Sequence, residues 1–182
     1  MIIELVNELE SKLKLLEHES ETFKERIREL LIEKSSSGKR PLPYFSYSII
    51  LDNKLNGKHT IFGNFNFTNH SPYPLYHPKF VLKIKSDHAF DFSGKYMMPN
   101  QHIKVENFQW KLVENKNENE AMEYWFAPIA AEKIDPEQTL SFPNFQIRFQ
   151  NEATGYINVE GYVHCRDVDE GIPSLNSINI SF

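Results

Sequence analysis

The stretch His59–Phe67, HTIFGNFNF, decides the fold. Ile61, Gly63, Phe65 and Phe67 fall on one side of a period-two alternation, and Asn64 and Asn66 on the other. Successive side chains of a strand point to opposite faces, so this is the pattern of a strand buried on one side. Upstream, Tyr44–Leu51 repeats it with Phe45, Tyr47, Ile49 and Leu51. Between the two, Asp52–Gly57 supplies turn chemistry, and Asn56-Gly57 is a hairpin signal.

The same period continues downstream. Lys79–Lys85 places Phe80, Leu82 and Ile84 inward and Lys83 and Lys85 outward. Ala89–Phe92, Ile103–Val113 and Glu123–Phe126 are weaker strand patterns. Thr139–Phe149 is interrupted by Pro143, which fits a bulge or an edge strand, and Phe145, Ile147 and Phe149 alternate beyond it. Tyr156–Cys165 presents Ile157, Val159, Gly161, Val163 and Cys165 on one face, and Asn176–Phe182 closes the chain with Ile178, Ile180 and Phe182. About eight short strands separated by turns predict a mainly β fold. The expected architecture over residues 44–182 is an antiparallel β-sandwich, Ig-like or jelly-roll-like, with the strand order left open. The polar run Asn115–Glu120 reads as a solvated loop and lacks the register of a calcium loop. Trp110 and Trp125 sit among other aromatics and are expected in the core.

Residues 1–34 follow a different period. Ile2, Leu9, Leu16, Phe23 and Leu30 occupy heptad position d, and Val6, Leu13, Ser20 and Ile27 position a. Such a seam predicts a coiled coil. In a parallel pair Lys12 faces Glu17 and Glu19 faces Lys24, both opposite in sign. Ile2, Val6, Leu9, Leu13, Leu16, Phe23, Ile27 and Leu30 are therefore the expected oligomerisation residues, with a dimer favoured. Ser20 in the seam, and Leu5, Leu15, Leu31 and Ile32 outside it, leave open a trimer, a tetramer or a helix docked on its own domain. Residues 35–43, SSSGKRPLP, read as the linker: Gly38 suits a helix end and two prolines forbid its continuation.

The composition is that of a globular chain, 40% hydrophobic and 25% charged, and its 14 Phe and 8 Tyr against 2 Trp favour strands. The net charge is -5. Residues 1–34 hold six Lys/Arg against nine Glu, or -3, and the remainder carries the other -2. Neither part has the basic footprint of a nucleic-acid binder, so no nucleic-acid partner is expected. No run approaches the length of a membrane span. Glu4, Glu8 and Glu10 break any signal-peptide pattern, so a cytoplasmic location is the expectation. Cys165 is the single cysteine and forms no internal disulfide.

Catalytic signatures are absent: no G-x-S-x-G, phosphate loop, dinucleotide fingerprint or H-E-x-x-H occurs. His164 and Cys165 would point to opposite faces of a strand, which argues against a shared metal or a nucleophile pair. No enzyme activity, cofactor or metal is expected.

The most distinctive loop is residues 69–78, NHSPYPLYHP. Three prolines stiffen it around His70, Tyr73, Leu75, Tyr76 and His77, the candidate partner-binding residues. A plainer role competes with that one: an inter-sheet crossover in which Leu75 and one tyrosine plug the core. The expected function is an oligomeric scaffold, adaptor or structural protein whose coil multiplies a sandwich that binds a protein partner not yet identified. Two alternatives stand beside it. One is a component of a phage or other particle. The other is a small-ligand or hydrolytic domain using His70, Tyr73, Tyr76 and His77.

Overall fold

The computed structural model describes residues 40–52, 57–99, 108–118, 120–150 and 154–181, together with Lys12, Lys14, Leu16, Ser20, Lys24 and Glu25. The chain divides into two units, Met1–Arg40 and Pro41–Phe182. In the first, the six described residues from Lys12 to Glu25 are helical and exposed. The seam residues Ile2, Val6, Leu9, Leu13, Phe23, Ile27 and Leu30 lie outside the described residues, as do linker residues 35–39.

The second unit is an antiparallel two-sheet sandwich. The alternating segment becomes β2 (Lys58–Thr68), which pairs on one side with β1 (Leu42–Ile50) and on the other with β9 (Thr139–Gln150). β5 (Phe90–Ser93) completes this first sheet in the order β1-β2-β9-β5. β1 and β2 form the expected hairpin, whose turn residues 53–56 lie outside the described set.

The second sheet runs β11 (Val168–Pro173), β10 (Tyr156–Cys165), β4 (Lys79–Ser86), β7 (Ala121–Pro128) and β6 (Trp110–Glu118), and β12 (Ile178–Ser181) also pairs β10. The short strands β3 (Leu75–Tyr76) and β8 (Lys133–Ile134) pair outside both sheets.

Aromatic side chains from the two inner faces interdigitate, as sandwich layers require. Phe142 of the first sheet stacks on Phe126 of the second with ring centroids 4.3 Å apart. Phe65 meets Phe80 edge-on at 5.2 Å, and Phe92 stacks on Tyr124 at 4.5 Å. Trp110 is buried between Phe80 and Phe142, and its indole N–H donates to the Ser141 carbonyl at 2.9 Å. Gly161 makes this closeness possible. A Cβ there would sit 2.5 Å from the Phe65 ring and 2.7 Å from that of Phe45.

Pro143 does sit in a bulge. The register shifts between Gly63 and Phe65, so that Pro143 and Asn144 together oppose Asn64. Asn144 adopts φ 55°, and its N–H donates to Asn64 Oδ1 at 2.8 Å. The missing proline N–H therefore costs no ladder bond.

Four expectations need correction. Asn115–Glu118 is strand, not loop: β6 runs through it, and Glu118 pairs with Ala121 of β7. An edge strand that projects beyond the core keeps both faces wet, so its polar sequence shows no alternation. Along the expected strand only Phe45 of the apolar face is buried, whereas Tyr47, Ile49 and Leu51 are exposed: β1 is the edge strand of its sheet, while Ile61, paired to Ile49 on β2, is fully buried. Trp125 is part-buried on the outer face of the second sheet, the face opposite its inward neighbours Tyr124 and Phe126. Leu75 offers no surface to a partner, as the next subsection describes.

Candidate partner-binding site

Loop 69–78 carries the chain from β2 in the first sheet to β4 in the second, and it is held at both ends. At the start, Asn69 is fully buried with every polar group engaged. Its Nδ2 donates to the carbonyls of Tyr73 (2.8 Å) and Ile134 (2.9 Å). Its Oδ1 accepts from the Ser71 N–H (3.0 Å) and hydroxyl (2.6 Å). Its main chain pairs with Gln138 O and with the Glu137 N–H.

At the other end the β10–β11 turn clamps Tyr76. Asp167 Oδ2 accepts the Tyr76 N–H at 3.0 Å, and the Arg166 N–H donates to Tyr76 O at 2.9 Å. The Arg166 guanidinium lies 5.1 Å from the centre of the Tyr76 ring. His77 takes a left-handed φ of 51°, a conformation a non-glycine residue adopts at a cost, and its N–H is anchored to Glu132 O at 2.8 Å.

The loop is thus both crossover and platform. Leu75 is 7% exposed and pairs with buried Ile134, so it plugs the core. Tyr73 is 73% exposed, with its carbonyl held and no aromatic ring against its own among the described residues. His70 lies to the side, its Nδ1 2.9 Å from Glu137 Oε2. The five candidate residues are therefore not one surface. His77 and Tyr76 turn toward the β10–β11 turn, Tyr73 and His70 lie elsewhere on the loop, and Leu75 faces inward.

His77 joins a groove of about 400 Å³ that is also lined by Lys79, Trp125, His164, Cys165 and Arg166. Sheet pairing builds it: Val81 of β4 pairs with Trp125 of β7 and with Tyr162 of β10, and Lys79 pairs with His164. Trp125 reaches across β4 to His164, with ring centroids 4.9 Å apart and an angle of 32°. Val81 beneath is buried although it faces outward. Lys116 Nζ lies over the Trp125 ring at 6.0 Å from its centroid, and Glu123 pairs with Lys83 at 3.4 Å.

Burial holds His164 below the ordinary histidine value, Lys79 adds to that shift, and Glu123 opposes it. Its ring is thereby kept toward the neutral form. Cys165 faces the core, and burial followed by the Asp167 charge pushes its thiol up to about 11. At neutral pH the cationic side chains around the groove are Lys79 and Arg166. Among the described residues no cluster of three or more His, Cys, Asp or Glu is placed to hold a metal. No helix among them is long and apolar enough to cross a membrane.

Sequence reasoning missed Trp125, Lys79, His164 and Arg166 as a group. The alternation of Tyr124 and Phe126 already implied that Trp125 faces outward, as His164 does beside inward Cys165. Their meeting depends on the order β10-β4-β7, which no local pattern encodes.

No family model matches this chain, and no curated protein matches it. Among solved structures it is similar to a cohesin module from a Clostridium perfringens ATCC13124 family 33 glycoside hydrolase, at TM-score 0.43 and 7% identity, covering 76% of this chain and 95% of that one. It is also similar to AvmM, described as catalysing macrocyclization in alchivemycin A biosynthesis, at TM-score 0.39 and 10% identity over 79% of this chain and 88% of that one. A third is the C-terminal domain of the Streptococcus pyogenes antigen I/II-family protein AspA, at TM-score 0.38 and 11% identity over 77% and 45%. At such scores the sandwich rests on its own pairing registers.

Proposed function

We propose that this chain is a non-enzymatic, self-assembling interaction protein, in which the N-terminal heptad helix gathers copies of a sandwich that binds a protein partner. The observation that carries the reading is the tilted ring contact between Trp125 and His164 on the outer face of the second sheet. A part-buried tryptophan on paired strands, beside Lys79, Arg166 and a loop held at both ends, is the kind of anchor that interfaces use. Multiplying such heads on a coil turns a modest affinity into a strong one through avidity. Leu16, a position-d leucine, is helical and exposed. The chemistry near Cys165 supports a non-catalytic role: its thiol is raised and inward, and the adjacent imidazole lies on the opposite face, the reverse of an activated nucleophile.

The test compares the intact chain, residues 41–182 and Trp125→Ala. Light scattering should give an oligomer for the intact chain and a monomer for residues 41–182. In capture from the native host, proteins held by the intact chain should be lost with Trp125→Ala while its melting temperature is unchanged. An oligomer that persists without the helix, or capture indifferent to Trp125, would refute the reading.

A further inference from the structure

The edge of β1 is closed along half its length and open along the rest. Leu175 N–H donates to Pro43 O at 2.8 Å. The Asn176 side chain engages both main-chain groups of Phe45, accepting from its N–H at 2.8 Å and donating to its carbonyl at 3.1 Å. Main-chain groups alternate in direction along a strand, so Phe45 fixes the parity: odd-numbered residues of β1 face away from β2. The register with β2 is unbroken from Leu42 to Ile50. The N–H and C=O of Tyr47 and Ile49 therefore point to the open edge, where no group among the described residues pairs with them.

Sheet edges are ordinarily protected by charge, brevity or bulges. β6, the outer strand of the second sheet, carries Lys111, Glu114, Lys116 and Glu118 and a bulge after Leu112. β5 and β12 are four residues each. β1, LPYFSYSII, is nine residues long and has no charge. Its open half exposes Tyr47 (43%), Ile49 (37%) and Ile50 (58%).

We infer that β1 pairs antiparallel with β1 of a second copy about a two-fold axis at Ser48, joining the first sheets of two sandwiches. Only Tyr47 and Ile49 offer outward groups within the open part of the strand. The register that uses both, in both copies, sets Tyr47 opposite Ile49 of the second copy and forms four main-chain hydrogen bonds. It also gives two aromatic–β-branched pairs, a favourable cross-strand combination. Asn176 and Leu175 stop the ladder at Phe45, which prevents sliding. Uncharged strands meet without the repulsion that like charges would impose.

A contact of this length falls short of the roughly 1,000 Å² that a stable interface needs. It therefore rests on the proposed assembly, in which the helices hold two copies together at high effective concentration. Seven residues, 35–41, separate the heptad segment from β1, a reach of roughly 23 Å at about 3.3 Å per residue. A two-fold strand pair uses up both edges, so it favours a dimer over a trimer.

The experiment is oxidative cross-linking of the full chain carrying Ser48→Cys or Ser46→Cys, with light scattering on the same samples. The pairing places the two copies of position 48 at a non-hydrogen-bonded site with Cα atoms about 4.5 Å apart, within disulfide reach. Ser48→Cys should form a covalent dimer at least about tenfold faster than Ser46→Cys, whose partner position is residue 50. Cys165, buried and raised to about 11, leaves the unmodified chain as a silent control. Adding Ile49→Pro removes an N–H that β2 does not use, and should lower Ser48→Cys cross-linking to the Ser46→Cys rate while the mass stays the same. An oligomer in which both cysteines link equally, neither links, or the proline has no effect overturns the strand pairing alone. A monomer that does not cross-link overturns the pairing and the assembly together.

Discussion

Asn176 stands in for a β-strand beside Phe45: its side-chain amide accepts the Phe45 N–H at 2.8 Å and donates to the Phe45 carbonyl at 3.1 Å. One side chain from the segment between β11 and β12 thus ties the edge of the first sheet to the second. Asn176→Ala should cost about 1–2 kcal/mol, because two part-buried main-chain groups lose their partner. Urea unfolding of wild type and variant measures it, and a loss below about 0.3 kcal/mol would show that water replaces the amide without cost.

Asn69 is the corresponding device in the crossover loop. Its buried side chain makes four hydrogen bonds, three that close residues 69–73 on themselves and one to Ile134 of β8, while its main chain bonds to Glu137 and Gln138. Asn69→Ala should destabilise the fold by about 3 kcal/mol, because the Ile134 carbonyl and the Ser71 N–H lose their partner and the Tyr73 carbonyl keeps only the Ser71 hydroxyl. Tyr73→Ala should leave stability nearly unchanged, since its ring is in solvent. Parallel melts of the two variants check the contrast.

Gly161 is where two phenylalanines of the first sheet press against the second. Gly161→Ala would place a methyl group 2.5 Å from the Phe65 ring. Overpacking of this kind costs about 1–3 kcal/mol. Chemical denaturation should show that loss, and Phe65→Leu in the same chain should recover part of it by making room.

His164 gives the sandwich an acid-side dependence. Its folded value lies below the ordinary 6.5, so the unfolded chain takes up this proton before the folded chain does. The stability is whole above 6.5 and is lost as pH falls from there toward the depressed folded value. His164→Phe keeps an aromatic ring against Trp125 and removes the titration. Its melting temperature should therefore fall less than that of wild type between about pH 6.5 and 5. Equal slopes for the two proteins would exclude the linkage.

Much of the first sheet is legible in the chain. β2 and the second half of β9 each bury one face, so their alternation survives in the sequence, and Pro143 announces the bulge. The loop residues Leu75 and Tyr73 were harder to separate. Both are apolar-bodied side chains between prolines, and only the pairing of Leu75 with Ile134 across 59 positions of sequence sends one inward. The polar half of β6 and the two-residue strands β3 and β8 leave no periodic trace, because one is wet on both faces and the others are too short to have a period.

By itself the sequence determined that a heptad segment precedes a one-sided β domain, since hydrophobic period is a local property of side-chain direction. It also determined that His164 and Cys165 face opposite ways. Tertiary structure alone decided that Trp125 lies over His164, that Asn176 closes only half of β1, and that Tyr47 and Ile49 remain at an open edge. Those relationships depend on strand order and on which strand lies at a sheet edge. Both are set by long-range pairing, which no stretch of neighbouring residues records.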